Sequence, residues 1–230
     1  MNILAIDTAN SFLSLALQYD GICYTLCENI GNKQSEFILP KINKLLSEHN
    51  VQLKQLHGIS YNSGAGGFTG LRIGLSVALA LAYSLNIPLY PVTMFAMYNE
   101  KLQQTTNSII VLDARLGQVY IAGFDAKSQY LIQPQLINPE QLKDILKQHE
   151  LLSQDTIVTG DGWSNYAIIN QDSELAQLNV VVSEYPAADT MINLINSGVI
   201  ESCSPAQADL LYLRNKVALN LAEQKLAKQV

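Results

Sequence analysis

Charge is scarce in this sequence, and basic charge scarcer still. Only 15% of the 230 residues are Asp, Glu, Lys or Arg, and 20 acids outnumber 14 bases for a net charge of −6. A chain built to hold a phosphate backbone shows a basic excess or stripe, so tight, direct nucleic-acid binding is not expected. Cysteine is as thin. Cys23, Cys27 and Cys203 are odd in number and lack the spacing of a secreted disulfide scaffold. A Cys-x3-Cys with no neighbouring Cys or His is poor metal spacing, and His49, His57 and His149 include no His-x3-His pair, so no metal site is expected. No basic region precedes the apolar run at residues 3–6, which argues against a signal peptide. The uncharged stretch 73–92 is interrupted by Asn86, Pro88 and Pro91. That leaves about thirteen helical residues where a membrane span needs about 20. The expectation is a chain in a reducing cytoplasm, with no membrane partner.

Apolar residues, by contrast, are abundant. At 48% hydrophobic the chain has ample material for a core, and its length suits one large domain or two small ones. Short apolar runs at 3–6, 13–17 and 22–26 read as three strands, the last two joined at Asp20-Gly21, a strong hairpin signal. Between 36 and 49 the period becomes helical, with Ile38, Leu39, Ile42, Leu45 and Leu46 in one stripe. A strand at 59–61, a Gly-rich loop at 63–70, a helix at 71–85 and a strand at 87–92 follow. The opening then recurs: Ile109-Ile110-Val111-Leu112-Asp113-Ala114 repeats the pattern of Ile3-Leu4-Ala5-Ile6-Asp7-Thr8. Strands at 119–124 and 130–136, a helix to about 149, a strand at 156–159, a short helix, a strand at 179–182 and a helix at 188–196 complete the second half. This is an α/β chain with a duplicated βββαβα plan. Its lobes are expected at 1–100 and 107–200, joined by a polar linker near 98–107, with a C-terminal helical segment at 205–230 packing back on the first lobe.

Few residues offer chemistry. Ser63-Gly64-Ala65-Gly66-Gly67-Phe68-Thr69-Gly70 lies between a strand and a helix, where backbone N–H groups can hold an anion. It lacks the lysine of a P-loop, and Thr69 stands where a dinucleotide motif needs Gly. Two readings stay open: close backbone packing, or a weak ligand site drawing on Asp7, Gly64, Gly66, Gly67 and Thr69. Asp7 and Asp113, each ending a strand, read chiefly as acceptors for their own turns. Ser11 and Ser14 have no adjacent His or Asp to activate them, so no catalytic residue is assigned. In the helix at 71–85, Gly74, Ala78 and Ala82 form a ridge of small residues, flanked by Arg72 and Leu75. Such a ridge permits close approach, either to the chain's own core or, the reading preferred here, to a partner helix.

Five blocks carry a resemblance. Residues 1–9, Ile38-Leu39-Pro40, Gly64-Ala65-Gly66-Gly67-Phe68-Thr69-Gly70-Leu71-Arg72-Ile73-Gly74, Leu112-Asp113-Ala114-Arg115-Leu116-Gly117-Gln118-Val119-Tyr120 and Tyr212-Leu213-Arg214-Asn215-Lys216-Val217-Ala218 resemble, in order, the signature blocks of the TsaB (YeaZ) family. The resemblance implies an actin-like (ASKHA, RNase H-like) two-lobed fold. It also implies a role in threonylcarbamoyl modification of the adenosine at position 37 of tRNAs that read codons starting with A. In that family the protein is a non-catalytic subunit. It pairs with the catalytic homologue TsaD through the helices matching 36–49 and 71–85, and the pair recruits the small ATPase TsaE. Alone it forms a homodimer through the same surface.

The interface expected from the resemblance therefore comprises Ile38, Leu39, Ile42, Leu45, Leu46, Arg72, Gly74, Leu75, Ala78 and Ala82. No cofactor of its own is expected, weak ATP or ADP binding being left to the complex, and tRNA is met only through the complex. Two departures bear on this. Gln34 stands where the family commonly has His, so with Ile38 it supplies neither metal ligand of the catalytic homologue. Ala65 and Gly67 replace the Pro and Ser of the family's loop, removing stiffness and a hydroxyl. The competing reading is an actin-fold phosphotransferase resembling sugar and acetate kinases, with an ATP cleft; Gly160-Asp161-Gly162 is the second half's only glycine-rich candidate for an adenosine contact.

Overall fold

The computed structural model describes residues 1–103 and 106–214. In the first lobe β1 (Ile3–Asp7), β2 (Phe12–Tyr19) and β3 (Ile22–Asn29) form a meander. α1 (Gln34–Glu48) then crosses to β4 (Gly58–Gly64), and α2 (Phe68–Leu85) to β5 (Leu89–Thr93) and α3 (Met94–Leu102). The second lobe repeats the sequence with β6 (Ser108–Arg115), β7 (Gln118–Phe124), β8 (Tyr130–Ile137), α4 (Leu142–Gln148), β9 (Ile157–Thr159), α5 (Asp161–Asn165), α6 (Ala167–Asn170), β10 (Asn179–Val180) and α7 (Asp189–Asn196). The sheets run β3-β2-β1-β4-β5 and β8-β7-β6-β9-β10, the same order when strands are counted within each lobe. In both, the first two pairings are antiparallel and the crossover pairings parallel. The βββαβα duplication is thus a property of the topology.

Local chemistry explains the elements. The β2–β3 turn holds Asp20 at φ 49° and Gly21 at φ 82°, the two positive values that a two-residue hairpin of the right twist requires. β1 is buried along its whole length because helices cover both faces of its sheet. In β6 the two-residue period splits the side chains. Ile109 and Val111 enter the second lobe's core with Trp163 and Leu146, while Ile110 and Leu112 join the first lobe's core with Phe95 and Met191. The seam between the lobes is therefore a continuous apolar layer.

Three expectations are corrected. The supposed linker at 98–107 is in large part helix: α3 runs to Leu102 and buries Met94, Phe95, Met97 and Tyr98, whose apolar anchors outweigh the polar Asn99, Glu100 and Lys101 on its outer side. α7 does not pack on the second lobe, to which 107–200 assigned it. Its Met191, Ile192, Leu194 and Ile195 lie against β1 to β4 and α3, so the chain returns to the first lobe before residue 200. α2 begins at Phe68 and spans 18 residues, longer than the thirteen or so read from the sequence.

The segment expected at 205–230 is described as far as Arg214. It holds one 3-10 turn (Pro205–Gln207) and then an extended strap against the first lobe, with Tyr61 Oη donating to Asp209 O (2.8 Å) and Leu211 N to Ser63 O (2.7 Å). The remainder of that segment lies outside the described residues.

Candidate functional site

The two sheets face each other across a cleft of about 760 Å³, floored by the β1 end and the Gly-rich loop on one side and by the β6–β7 turn and Asp161 on the other. Asp7 is fully buried at its base. Its Oδ1 accepts the Ala9 N–H and the Asn62 Nδ2–H, each at 2.9 Å, and Asn62 Oδ1 in turn accepts the Gly64 N–H at 2.9 Å. Burial raises the Asp7 pKa above the usual carboxylate value, against the lowering effect of those two donors. Tyr185 lies near this carboxylate with a buried hydroxyl that has no hydrogen-bond partner, and burial together with the Asp7 charge holds its phenol well above the ordinary range.

Across the cleft Asp113 repeats the Asp7 device. Its Oδ1 accepts the N–H of Arg115, two residues on, at 2.8 Å, and the Tyr166 hydroxyl at 2.9 Å, while Oδ2 accepts Arg115 Nη1 at 3.0 Å. Asp161 Oδ1 accepts the Asp113 N–H at 2.9 Å. Both strand-end carboxylates are therefore engaged in holding their own turns, as short side chains before a turn commonly are. Asn62, Tyr166 and Tyr185 were not legible as members of this network, because nothing in their local spacing ties them to residues 50 or more away.

The Gly-rich loop packs hard against the β1 end. Gly67 N donates to Ala9 O (2.7 Å) and Thr8 Oγ1 to Gly70 O (2.8 Å). A Cβ on Gly70 would lie 2.0 Å from Thr8 O, and one on Gly66 2.5 Å from Ala9 Cβ. Gly66 and Gly70 thus make close backbone approach possible here. Of the ligand candidates, Gly66, Gly67 and Thr69 line the cleft. Asp7 lies beneath it, and Gly64 turns toward Leu211 of the strap. Gln34, where a metal-binding His would stand, is buried and donates its Nε2–H groups to Asn10 O and Gly31 O, bracing the entry to α1.

The interface expectation divides. Ile38, Ile42, Leu45 and Leu46 are turned into the first lobe's own core, and so are Gly74, Ala78 and Ala82. The small-residue ridge is correct as a ridge and wrong as a partner surface: α2 lies on β1 and β4 so closely that a Cβ at Gly74 would meet Thr8 Oγ1 at 2.6 Å. Leu39 stays outside at 56% exposure, Leu75 is half-buried, and exposed Arg72 folds back over Phe68. What α2 does present outward is Ile73, Ser76, Val77, Ala80 and Tyr83, and Arg72 is the only charged residue between Phe68 and Leu85.

Two lobes that repeat one mixed five-stranded sheet around a central cleft define a duplicated α/β protein of the actin-like class. Two solved structures share the fold: one described as an uncharacterized protein with similarity to peptidase YEAZ from Pseudomonas aeruginosa (TM-score 0.77, 24% identity, 93% of this chain and 99% of that one), and YeaZ from Pseudomonas aeruginosa (TM-score 0.72, 23% identity, 92% and 100%). The family model described as TsaD, tRNA N6-adenosine threonylcarbamoyltransferase, matches residues 14–223. The Escherichia coli K12 tRNA threonylcarbamoyladenosine biosynthesis protein TsaB is 30% identical over 227 residues, 95% of this chain and 96% of that one. The chain belongs to the TsaB (YeaZ) family, whose role is in tRNA threonylcarbamoyladenosine biosynthesis.

Proposed function

We propose that this chain is a non-catalytic subunit of the cytoplasmic machinery that makes tRNA threonylcarbamoyladenosine. It pairs with a TsaD-type threonylcarbamoyltransferase, the pair then engages the TsaE ATPase, and alone the chain pairs with itself. The observation that carries this reading is the outer face of α2. Only Leu71, Gly74, Ala78 and Ala82 of its 18 residues are buried, and from Ile73 to Leu85 it bears no charge. An uncharged helix face of that length is costly to leave in water and is characteristic of a partner surface. The non-catalytic assignment is supported by the use to which Asp7 and Asp113 are put, both holding turns in their own lobes.

The pairing partner covers Ile73, Val77, Ala80 and Tyr83, with Leu39 of α1 exposed beside them in sequence order. Tyr83→Asp puts a charge on that face and leaves the core untouched, since Tyr83 is exposed. On co-purification and sizing it is expected to lose both the heterodimer with the transferase and the homodimer, at an unchanged melting temperature. Normal pairing by Tyr83→Asp and Ala80→Asp together would remove α2 from the interface. The purified wild-type chain is expected to show no ATP turnover; turnover abolished by Asp7→Ala would instead establish the phosphotransferase.

A further inference from the structure

The sequence holds three arginines against eleven lysines, and all three, Arg72, Arg115 and Arg214, converge on one place at the mouth of the cleft. Arg72, on the first turns of α2, lays its guanidinium 3.7 Å from the Phe68 ring centroid and 5.8 Å from that of Tyr212, and its Nε–H donates to Tyr212 Oη at 3.1 Å. Arg214, on the strap, donates through Nη2 to Ala114 O (3.0 Å) and Arg115 O (3.2 Å), fixing the β6–β7 turn. That turn carries Arg115, whose side chain is 84% exposed although it touches Asp113. Phe68 and Tyr212 remain 45% and 48% exposed, and a pocket of about 240 Å³ lies between Phe68, Arg115, Tyr212 and Arg214.

Guanidinium differs from ammonium in two ways that matter here: it stacks flat on aromatic rings, and it offers a planar fork of donors to phosphate. A chain that uses lysine almost everywhere else gathers its guanidiniums where two half-exposed rings stand ready. The first turn of α2 adds no acid to oppose an anion. Exposed aromatic faces beside cationic forks are the elements with which proteins hold unpaired nucleotides, bases on the rings and phosphates on the cations.

We propose that this cluster is a contact site for single-stranded RNA, with Arg72 and Arg115 holding phosphodiester oxygens and Phe68 or Tyr212 stacking a base. Arg214 positions the turn that carries Arg115. The idea rests on the tRNA-modification reading but on none of the pairing residues. It also fits the acidic balance of the chain: an RNA strand is attracted at this patch and repelled by the net negative charge around it, so the contact is short and its affinity modest.

The test uses the purified full chain and a fluorescein-labelled twelve-nucleotide oligoadenylate, with an RNA duplex of equal length as comparison, by anisotropy between 50 and 200 mM KCl. Single strand is expected to bind more tightly than duplex. Arg72→Ala weakens binding about tenfold and lowers the slope of log affinity against log salt by about 0.7, the share of one phosphate contact on a single strand. Arg72→Lys keeps that slope and loses several-fold in affinity, because charge survives and the stacked fork does not. Tyr212→Ala weakens binding between about five- and a hundred-fold with the slope unchanged. Pairing with the transferase, measured on the same variants, stays at the wild-type level. If the wild-type chain binds the oligonucleotide no better than Arg72→Ala does, or binds duplex equally, the RNA site is refuted. Loss of pairing with RNA binding intact would assign the cluster to an acidic protein segment and equally refute it. Should wild type fail to pair at all while the RNA variants behave as stated, the pairing reading falls and this one stands.

Discussion

Replacing Gly74 with alanine separates the two faces of α2. The added Cβ would sit 2.6 Å from Thr8 Oγ1, well inside contact distance, and 3.9 Å from Ile6 Cγ2. The cheapest relief is rotation of the Thr8 side chain, which breaks its bond to Gly70 O (2.8 Å). Alanine gains about 1 kcal/mol over glycine in a helix interior. Against this stand about 1–3 kcal/mol for an orphaned buried polar group and a similar figure for overpacking where Thr8 does not turn away. The net is a loss of about 1–3 kcal/mol, which in a chain of this length lowers the melting temperature by about 2–4 °C per kcal/mol. The double variant Thr8→Ala with Gly74→Ala has neither the clash nor the hydroxyl, and there the substitution at position 74 becomes neutral or stabilising. The assay is a thermal scan of the four members of this cycle at a concentration where wild type is monomeric, with dimerisation measured separately by sizing. A Gly74→Ala chain that melts at or above wild type and fails to dimerise would show that Gly74 faces a partner, and the packing argument would be wrong.

Ala78→Leu, fully buried one turn on, is expected to lower monomer stability by about 1–3 kcal/mol by overpacking, read as an earlier melt with dimerisation unchanged at temperatures where the fold persists. Asp113→Asn keeps an oxygen for the Arg115 N–H and Tyr166 hydroxyl and loses only an ion pair with an exposed guanidinium. Its stability should stay within about 1 kcal/mol of wild type, checked by denaturant titration, and its activity in the reconstituted complex near wild type. Asp7 has a raised pKa in the folded state, so the folded chain favours its protonated form and loses stability as pH climbs from the unfolded value of 3.8 through the raised one. Asp7→Asn, which retains the Oδ1 acceptor, should therefore gain on wild type in melting temperature from pH 4 to pH 7; a difference that is flat over this range would show that Asp7 is not buried as a charge.

Much of this architecture was legible because strand and helix periods are local properties. Ile3 to Ile6, the Asp20-Gly21 turn and the stripe from Ile38 to Leu46 each fall where the sequence placed them. The duplication was readable from Asp7 and Asp113, and the two carboxylates make the same bond to the N–H two residues on. What was not legible is anything decided by partners distant in sequence. Composition made 99–107 a linker, because the apolar anchors of α3 lie just before it and the polar residues are its outer side. α7 reads as the end of the second half, since the seam that draws it to the first sheet is formed by residues more than 170 positions earlier, such as Ser14, whose Oγ accepts the Ala188 N–H. The arginine cluster needs three segments to meet, and no window of sequence contains more than one of them.

α2 shows why a helix apolar all round leaves its own orientation undetermined. Both sides of it are free of charge, so the hydrophobic pattern does not choose between them; volume does. The sheet beneath presents the backbone of Thr8 and Ala9 at close range, and only glycine and alanine fit that surface, so Gly74, Ala78 and Ala82 turn inward. The bulkier Ile73, Val77 and Tyr83 are consequently displaced to the outside, where apolar area left in water costs about 25 cal/mol for each Å². The stripe that looked like a docking ridge is thus the cause of a docking face on the opposite side. Close packing within the lobe and the need for a partner are two results of one constraint, the short distance between α2 and the end of β1.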